Sequence, residues 1–113
     1  ELRQSKYPGG IAHAGELETA VYLHLNAEAV DMKKAKADFN FPSSSFMYHD
    51  LMGMGPVNIA PWHSQISDEG VVGDPTKATS ENGQRWFEAC VRKVIELVRE
   101  FRRLEVKPRV DHH

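Results

Sequence analysis

The sequence predicts part of an α/β layered fold that ends in a long amphipathic helix. Three observations carry this. An apolar stripe recurs at helical spacing over residues 85–104, and a shorter helical pattern begins at Glu16. Between them lie short aromatic, alternating runs separated by proline, serine and glycine.

Residues 1–10 read as irregular chain closed by Pro8-Gly9-Gly10, a strong turn signal. From Glu16, Leu17, Val21 and Leu25 recur on one helical face, with Ala20 and His24 on or beside it. Glu16 and Glu18 suit the positive end of that helix, which Asn26 closes. Residues 31–37 add a second short helical turn. Phe39-Asn40-Phe41 and Ser45-Phe46-Met47-Tyr48 are strand candidates. Residues 53–73, with Gly53, Gly55, Gly70, Gly73, Pro56 and Pro61, read as loop. A loop of that length is functional or packed on other chain. Asp74-Pro75 opens the last element, Asp as N-cap and Pro at the first helical position. Thr79 or Ser80 is a competing start, because Gly83 weakens the early turns. In the final helix Phe87, Cys90, Val91, Val94, Ile95, Val98 and Phe101 line a face expected to be buried. Glu88, Arg92, Lys93, Glu96, Arg99 and Arg103 fall largely opposite. Cys90 in that stripe reads as a buried structural thiol rather than a nucleophile.

The chain's 113 residues suffice for one compact domain. A formal charge of -2 with 27% charged residues leaves no electrostatic footprint for nucleic acid or an anionic membrane. Arg99, Arg102, Arg103, Lys107 and Arg109 read as the wet face of a helix end. No apolar run is long enough to span a bilayer, and residues 1–10 have no signal-peptide character. Cys90 is the sole cysteine, so no internal disulfide can form and a cytoplasmic location is expected. His112 and His113 carry no weight, being native or the stub of a tag.

The densest polar cluster is His13-Ala14-Gly15-Glu16-Leu17-Glu18-Thr19, directly after the glycine turn. A histidine on a glycine-lined loop at a helix start is exposed and orientable, as general acid or base work requires. The neighbouring carboxylates are placed to fix its tautomer and raise its pKa. By spacing alone, a surface histidine beside helix-capping acids explains the cluster equally well. Zinc needs three or four ligands in tetrahedral geometry. His13, Glu16, Glu18, His24, His49, Asp50 and His63 supply donors, but no pair has the His-x-x-x-His spacing of a helical site. His24 reads as a core or interface histidine, while His49-Asp50 and Trp62-His63 read as structural. A Gly-x-Ser-x-Gly elbow and a phosphate-cradling loop are both missing from the sequence.

Two blocks together resemble the creatininase (creatinine amidohydrolase) family. His13 to Thr19, followed by Leu23, Val30-Asp31-Met32 and Ala35, is similar to its His-(Ala/Gly)-Gly-x-x-Glu-Thr segment. Gly70-Val71-Val72-Gly73-Asp74-Pro75, with Ala78-Thr79, Gly83 and Glu88, resembles its Gly-x-x-Gly-Asp-Pro block and final helix. The resemblance implies the C-terminal part of a three-layer α/β/α fold, assembled into oligomers that are often hexamers. It also implies a centre of zinc, manganese or iron that activates water against an amide or related carbonyl. His13 would shuttle a proton to the leaving nitrogen or stabilise the tetrahedral intermediate, and Glu18 would support it. The family's metal ligands, a Glu-x-His pair with a following Asp and a later His-x-Glu, belong to the N-terminal half. Residues 1–113 therefore correspond to the C-terminal half, with no metal ligand assigned among them. The implied partner is an N-terminal half or companion subunit, whether through cleavage, separate genes or a longer chain.

Creatinine-hydrolysing members place Trp-Asp shortly before the catalytic histidine, where this chain has Gly9 and Gly10. That argues against creatinine and leaves other small molecules: formylated pyrimidines, peptide amides or cyclic ketones. Two further classes compete with the hydrolase reading. One is a non-catalytic assembly or regulatory subunit; the other is a helical interaction module built on the last helix, which leaves both blocks unexplained.

Overall fold

A computed structural model describes residues 2–111; Glu1, His112 and His113 lie outside the described residues. The architecture is mixed α/β, two helices beside a small sheet. In chain order the regular elements are β1 (Ile11–His13), α1 (Glu16–Asn26), β2 (Val72–Gly73) and α2 (Ser80–Phe101), with 3-10 turns between them. β1 and β2 pair antiparallel, Ile11 opposite Gly73 and His13 opposite Val72, with an irregularity between the two pairs. Asp38 bridges to the other side of Gly73, through a Gly73 N to Asp38 O bond of 2.8 Å and its return of 2.9 Å.

The strands are the elements that periodicity misses. At three and two residues, neither β1 nor β2 is long enough to alternate. The aromatic runs expected as strands form none. Residues 46–48 lie in an irregular hairpin, Phe46 O accepting from Val57 N at 2.9 Å and Tyr48 O from Gly55 N at 3.0 Å. Pro42 and the serines break any longer ladder, and Phe46 remains exposed.

α1 begins and ends where the pattern places it. Its inner face is turned from the expected one: Ala20 is fully buried, Leu17, Val21 and Leu23 pack beside it, and Leu25 is exposed. The turn expected over 31–37 is a 3-10 turn, Met32–Lys34, capped by Asp31 accepting from Lys33 N. Asp74 and Pro75 open a separate 3-10 turn, Pro75–Lys77, and α2 starts later under a Thr79 cap that accepts from Asn82 N. Both proposed starts are real, each for its own element.

Gly83 is where the helices meet. A Cβ there would sit 1.8 Å from the Ala20 carbonyl oxygen, so only glycine permits this crossing. Around it Ala20, Ala78 and Trp86 form one small core; Ala12, Ile66 and Val72, with Phe41 against them, form another under the sheet.

Past Trp86, α2 departs from expectation. The stripe from Phe87 to Phe101 is not buried: Val94 is 57% and Phe101 70% exposed, and Cys90 is exposed as well. The cause is length. At about 1.5 Å per residue the 22-residue α2 runs roughly 33 Å, twice the span of the 11-residue α1. α1 covers its first turns only. The radius of gyration, 18.0 Å, exceeds the roughly 13 Å of a compact domain of this length.

An ion pair ties the first residues down. Asp50 is fully buried; Arg3 Nη1 reaches its Oδ1 at 3.0 Å and Arg3 Nη2 its Oδ2 at 2.7 Å. Gly9 N and Met52 N donate to the same carboxylate at 2.7 and 3.0 Å. Burial pushes the Asp50 carboxyl up, but Arg3 and the two amides outweigh it and hold the group below the usual carboxylate range. Asp50 is in this respect structural, as read.

Candidate active site

The two motif blocks, some fifty residues apart, are built into one unit. Gly10 O accepts from Asp74 N at 2.9 Å and from Glu16 N at 3.4 Å, which joins the glycine turn to the Gly-Asp-Pro loop and to the start of α1. A Cβ on Gly73, whose φ is 149°, would lie 2.7 Å from that carbonyl oxygen and 3.0 Å from Gly15 Cα. The glycines of both blocks therefore serve a three-way backbone approach.

His13 stands at the end of β1 with its side chain exposed. Ala14, at a φ of 48°, then turns the chain sharply into α1. A non-glycine residue in the left-handed region costs about 1 kcal/mol and persists where surrounding contacts impose it. This turn leaves His13 on the strand side of the bend, before α1 begins. Neither acid follows it. Glu16 is fully buried and accepts from Gln4 N at 2.9 Å and Ser5 N at 2.7 Å, so its role is to anchor residues 4 and 5. Glu18, some 200° further round the helix, points to solvent. Among the described residues Glu18 makes no hydrogen bond or ion pair. The expectation that these carboxylates fix the His13 tautomer therefore fails.

His13 is joined instead by a residue read as structural. The His63 ring lies edge-to-face with it, centroids 4.6 Å apart and planes at 74°. His63 opens the 3-10 turn His63–Gln65, and its Nε2 lies 3.3 Å from Gly70 O. No linear signal links residues 13 and 63; the β1–β2 pairing does, by setting Val72 opposite His13. Both histidines and half-buried His49 line a cleft of about 300 Å³, walled by Phe41, Ile59, Pro61, Ile66 and Val72. The cleft is apolar apart from the imidazoles and Asn58. His13 contributes an imidazole to this otherwise largely apolar wall.

These donors do not amount to a metal centre. Among the described residues no group of three or more His, Cys, Asp or Glu could hold an ion. His24 packs on Phe87 at 5.8 Å and His49 on Phe41 at 5.5 Å, each as a half-buried structural ring. No described helix is long and apolar enough to cross a membrane.

The glycine-built junction and the histidine at its edge define a class, and comparison with known proteins agrees. The family model Creatininase, described as creatinine amidohydrolase, matches residues 1–98. The chain belongs to the creatininase family. Mycofactocin precursor peptide peptidase of Mycobacterium tuberculosis (strain CDC 1551 / Oshkosh) is 38% identical over 91 residues, covering 77% of this chain and 33% of that protein. The protein of the same name from Mycobacterium ulcerans (strain Agy99) is 36% identical over 83 residues, 74% of this chain and 30% of its own length. The crystal structure of a candidate creatinine amidohydrolase from Bacteroides fragilis NCTC 9343 superposes with a TM-score of 0.69 at 25% identity. That match covers 95% of this chain and 40% of the other. The chain thus spans about a third of the length of the curated relatives it matches.

Proposed function

We propose that this chain is the C-terminal part of a creatininase-type, metal-dependent hydrolase that cleaves a C–N amide bond, with His13 as its proton-transferring residue. The observation that carries this is the placement of His13: exposed at a strand end, just before the left-handed Ala14 turn, and lining a cleft. An imidazole there can give a proton to a leaving nitrogen or hold a developing oxyanion. Glu18 takes the supporting role its motif position implies, with its exposed carboxylate directed at groups outside these residues.

The divalent metal, zinc, manganese or iron, takes its ligands from chain beyond these residues, an N-terminal half or companion subunit. A homo- or hetero-oligomer, hexamer-like as in the family, is the assembly we assign, in the cytoplasm. Peptide amides are the favoured substrates among small molecules: the similar proteins bear the name of a peptide peptidase, the cleft wall is apolar, and Gly9-Gly10 replaces the creatinine-binding pair. The exposed α2 face supports a second reading, a non-catalytic assembly subunit.

The complete protein, loaded with zinc or manganese, is offered short peptides and creatinine in parallel. Hydrolysis of a peptide that chelator abolishes and metal restores is the expected result. A complete, metal-loaded protein inert towards every amide tried would favour the assembly reading.

A further inference from the structure

We propose that His63 is a positioning residue for His13, fixing by ring contact the orientation that a carboxylate would otherwise fix. This inference rests on His13 being the proton-transferring group. A histidine that moves protons needs a defined ring orientation, usually set by a hydrogen bond from one ring nitrogen to a carboxylate or carbonyl. His13 has no such bond among the described residues. Glu16 is committed to Gln4 and Ser5, and Glu18 faces away. The described partner of the His13 ring is the His63 ring, at a separation and angle within the favourable edge-to-face range.

A positioning group must itself be held, and His63 is. Its carbonyl accepts from Ile66 N at 3.1 Å and Ser67 N at 3.0 Å, and Ile66 is buried in the core beneath the sheet. Its Nε2 meets Gly70 O, which implies that Nε2 carries the proton when the ring is neutral. Two residues beyond Gly70, Val72 pairs with His13 itself. The path from His13 through His63 and Gly70 to Val72 is therefore a closed circuit. The loop over residues 53–73 thereby gains a function: it carries a ring to the His13 side chain, which has no hydrogen-bonded partner among the described residues.

The test uses the complete, metal-loaded protein and four variants. His63→Ala removes the ring; His63→Phe keeps a ring without the Gly70 bond; His63→Gln keeps a donor without the ring; His13→Ala is the reference. Loss of orientation lowers kcat by about tenfold or more with little change in KM, since a misplacement of about 1 Å can cost some 100-fold. We expect that loss in His63→Ala and His63→Gln, and recovery to within about threefold of wild type in His63→Phe. Histidine-selective NMR supplies a readout independent of turnover: the ring-current shift of the His13 Cε1 proton should vanish in His63→Ala and persist in His63→Phe.

If His63→Phe is as inactive as His13→Ala, His63 transfers protons itself and the positioning role is overturned. If activity in every His63 variant falls only in step with melting temperature, the residue is merely structural. If the His63 variants are unaffected while His13→Ala is dead, this inference fails alone. An active His13→Ala would instead refute the catalytic reading beneath it.

Discussion

Replacing Gly83 by alanine sets two opposed effects against each other, and the structure decides the sign. In an unconstrained helix interior the change stabilises by about 1 kcal/mol, because alanine loses less backbone entropy. Here the new Cβ would lie 1.8 Å from Ala20 O, 2.4 Å from Ala20 C and 3.0 Å from Val21 N. Carbon contacts want about 3.5 Å, so α2 must retreat by roughly 1 Å or more. Those neighbours are backbone and cannot swing aside. Overpacking of this kind costs about 1–3 kcal/mol, and uncovering a tenth to a fifth of Trp86 adds about 0.5–1 kcal/mol. The net expectation is destabilisation by about 0.5–3 kcal/mol, read as a lower denaturant midpoint with an unchanged slope. A Gly83→Ala protein equal to wild type, or more stable, would mean that the helices do not cross at this residue.

Asp50→Ala strands Arg3, whose side chain is only 6% exposed, and should cost about 3–5 kcal/mol in chemical denaturation. Because the folded Asp50 titrates below its ordinary value, its contribution is fully present above about pH 4 and is lost as pH falls through the lowered pKa. Wild type should therefore lose stability on acidification below pH 4 by more than Asp50→Ala does; parallel curves would contradict the assignment. Dialysis of this 113-residue chain against zinc or manganese should leave well under one ion per chain, since the donors among the described residues do not converge. One tightly held ion would make His13, Glu16, Glu18 and one of His24, His49 or His63 the ligands to mutate.

The helices were legible in the sequence because each repeats its pattern over several turns. The limits of α1 follow from Glu16 and Asn26, and the Thr79 and Asp74 caps from short polar side chains before a helical run. What could not be read lay in pairings between distant segments. Two strands of three and two residues have no period, although Ile11-Ala12 and Val71-Val72 beside glycines were a faint sign. Apolar periodicity identified the stripe on α2 but could not say what covers it, and within this chain α1 is too short to do so. The acids beside His13 misled for a related reason: sequence adjacency suggested contact, while helix rotation sent Glu16 inward and Glu18 outward. His63 is the converse case, remote in sequence and adjacent in space.

In the proposed reaction His13 moves a proton in a metal-dependent hydrolysis without holding the metal. The measurement that tests this role most directly is turnover and metal content of His13→Ala, determined together on the same preparation of the complete protein. Turnover is expected to fall by about two to four orders of magnitude, the range for a lost general acid or base, with metal stoichiometry equal to wild type. Turnover within a few-fold of wild type, or loss of metal along with activity, would contradict that role.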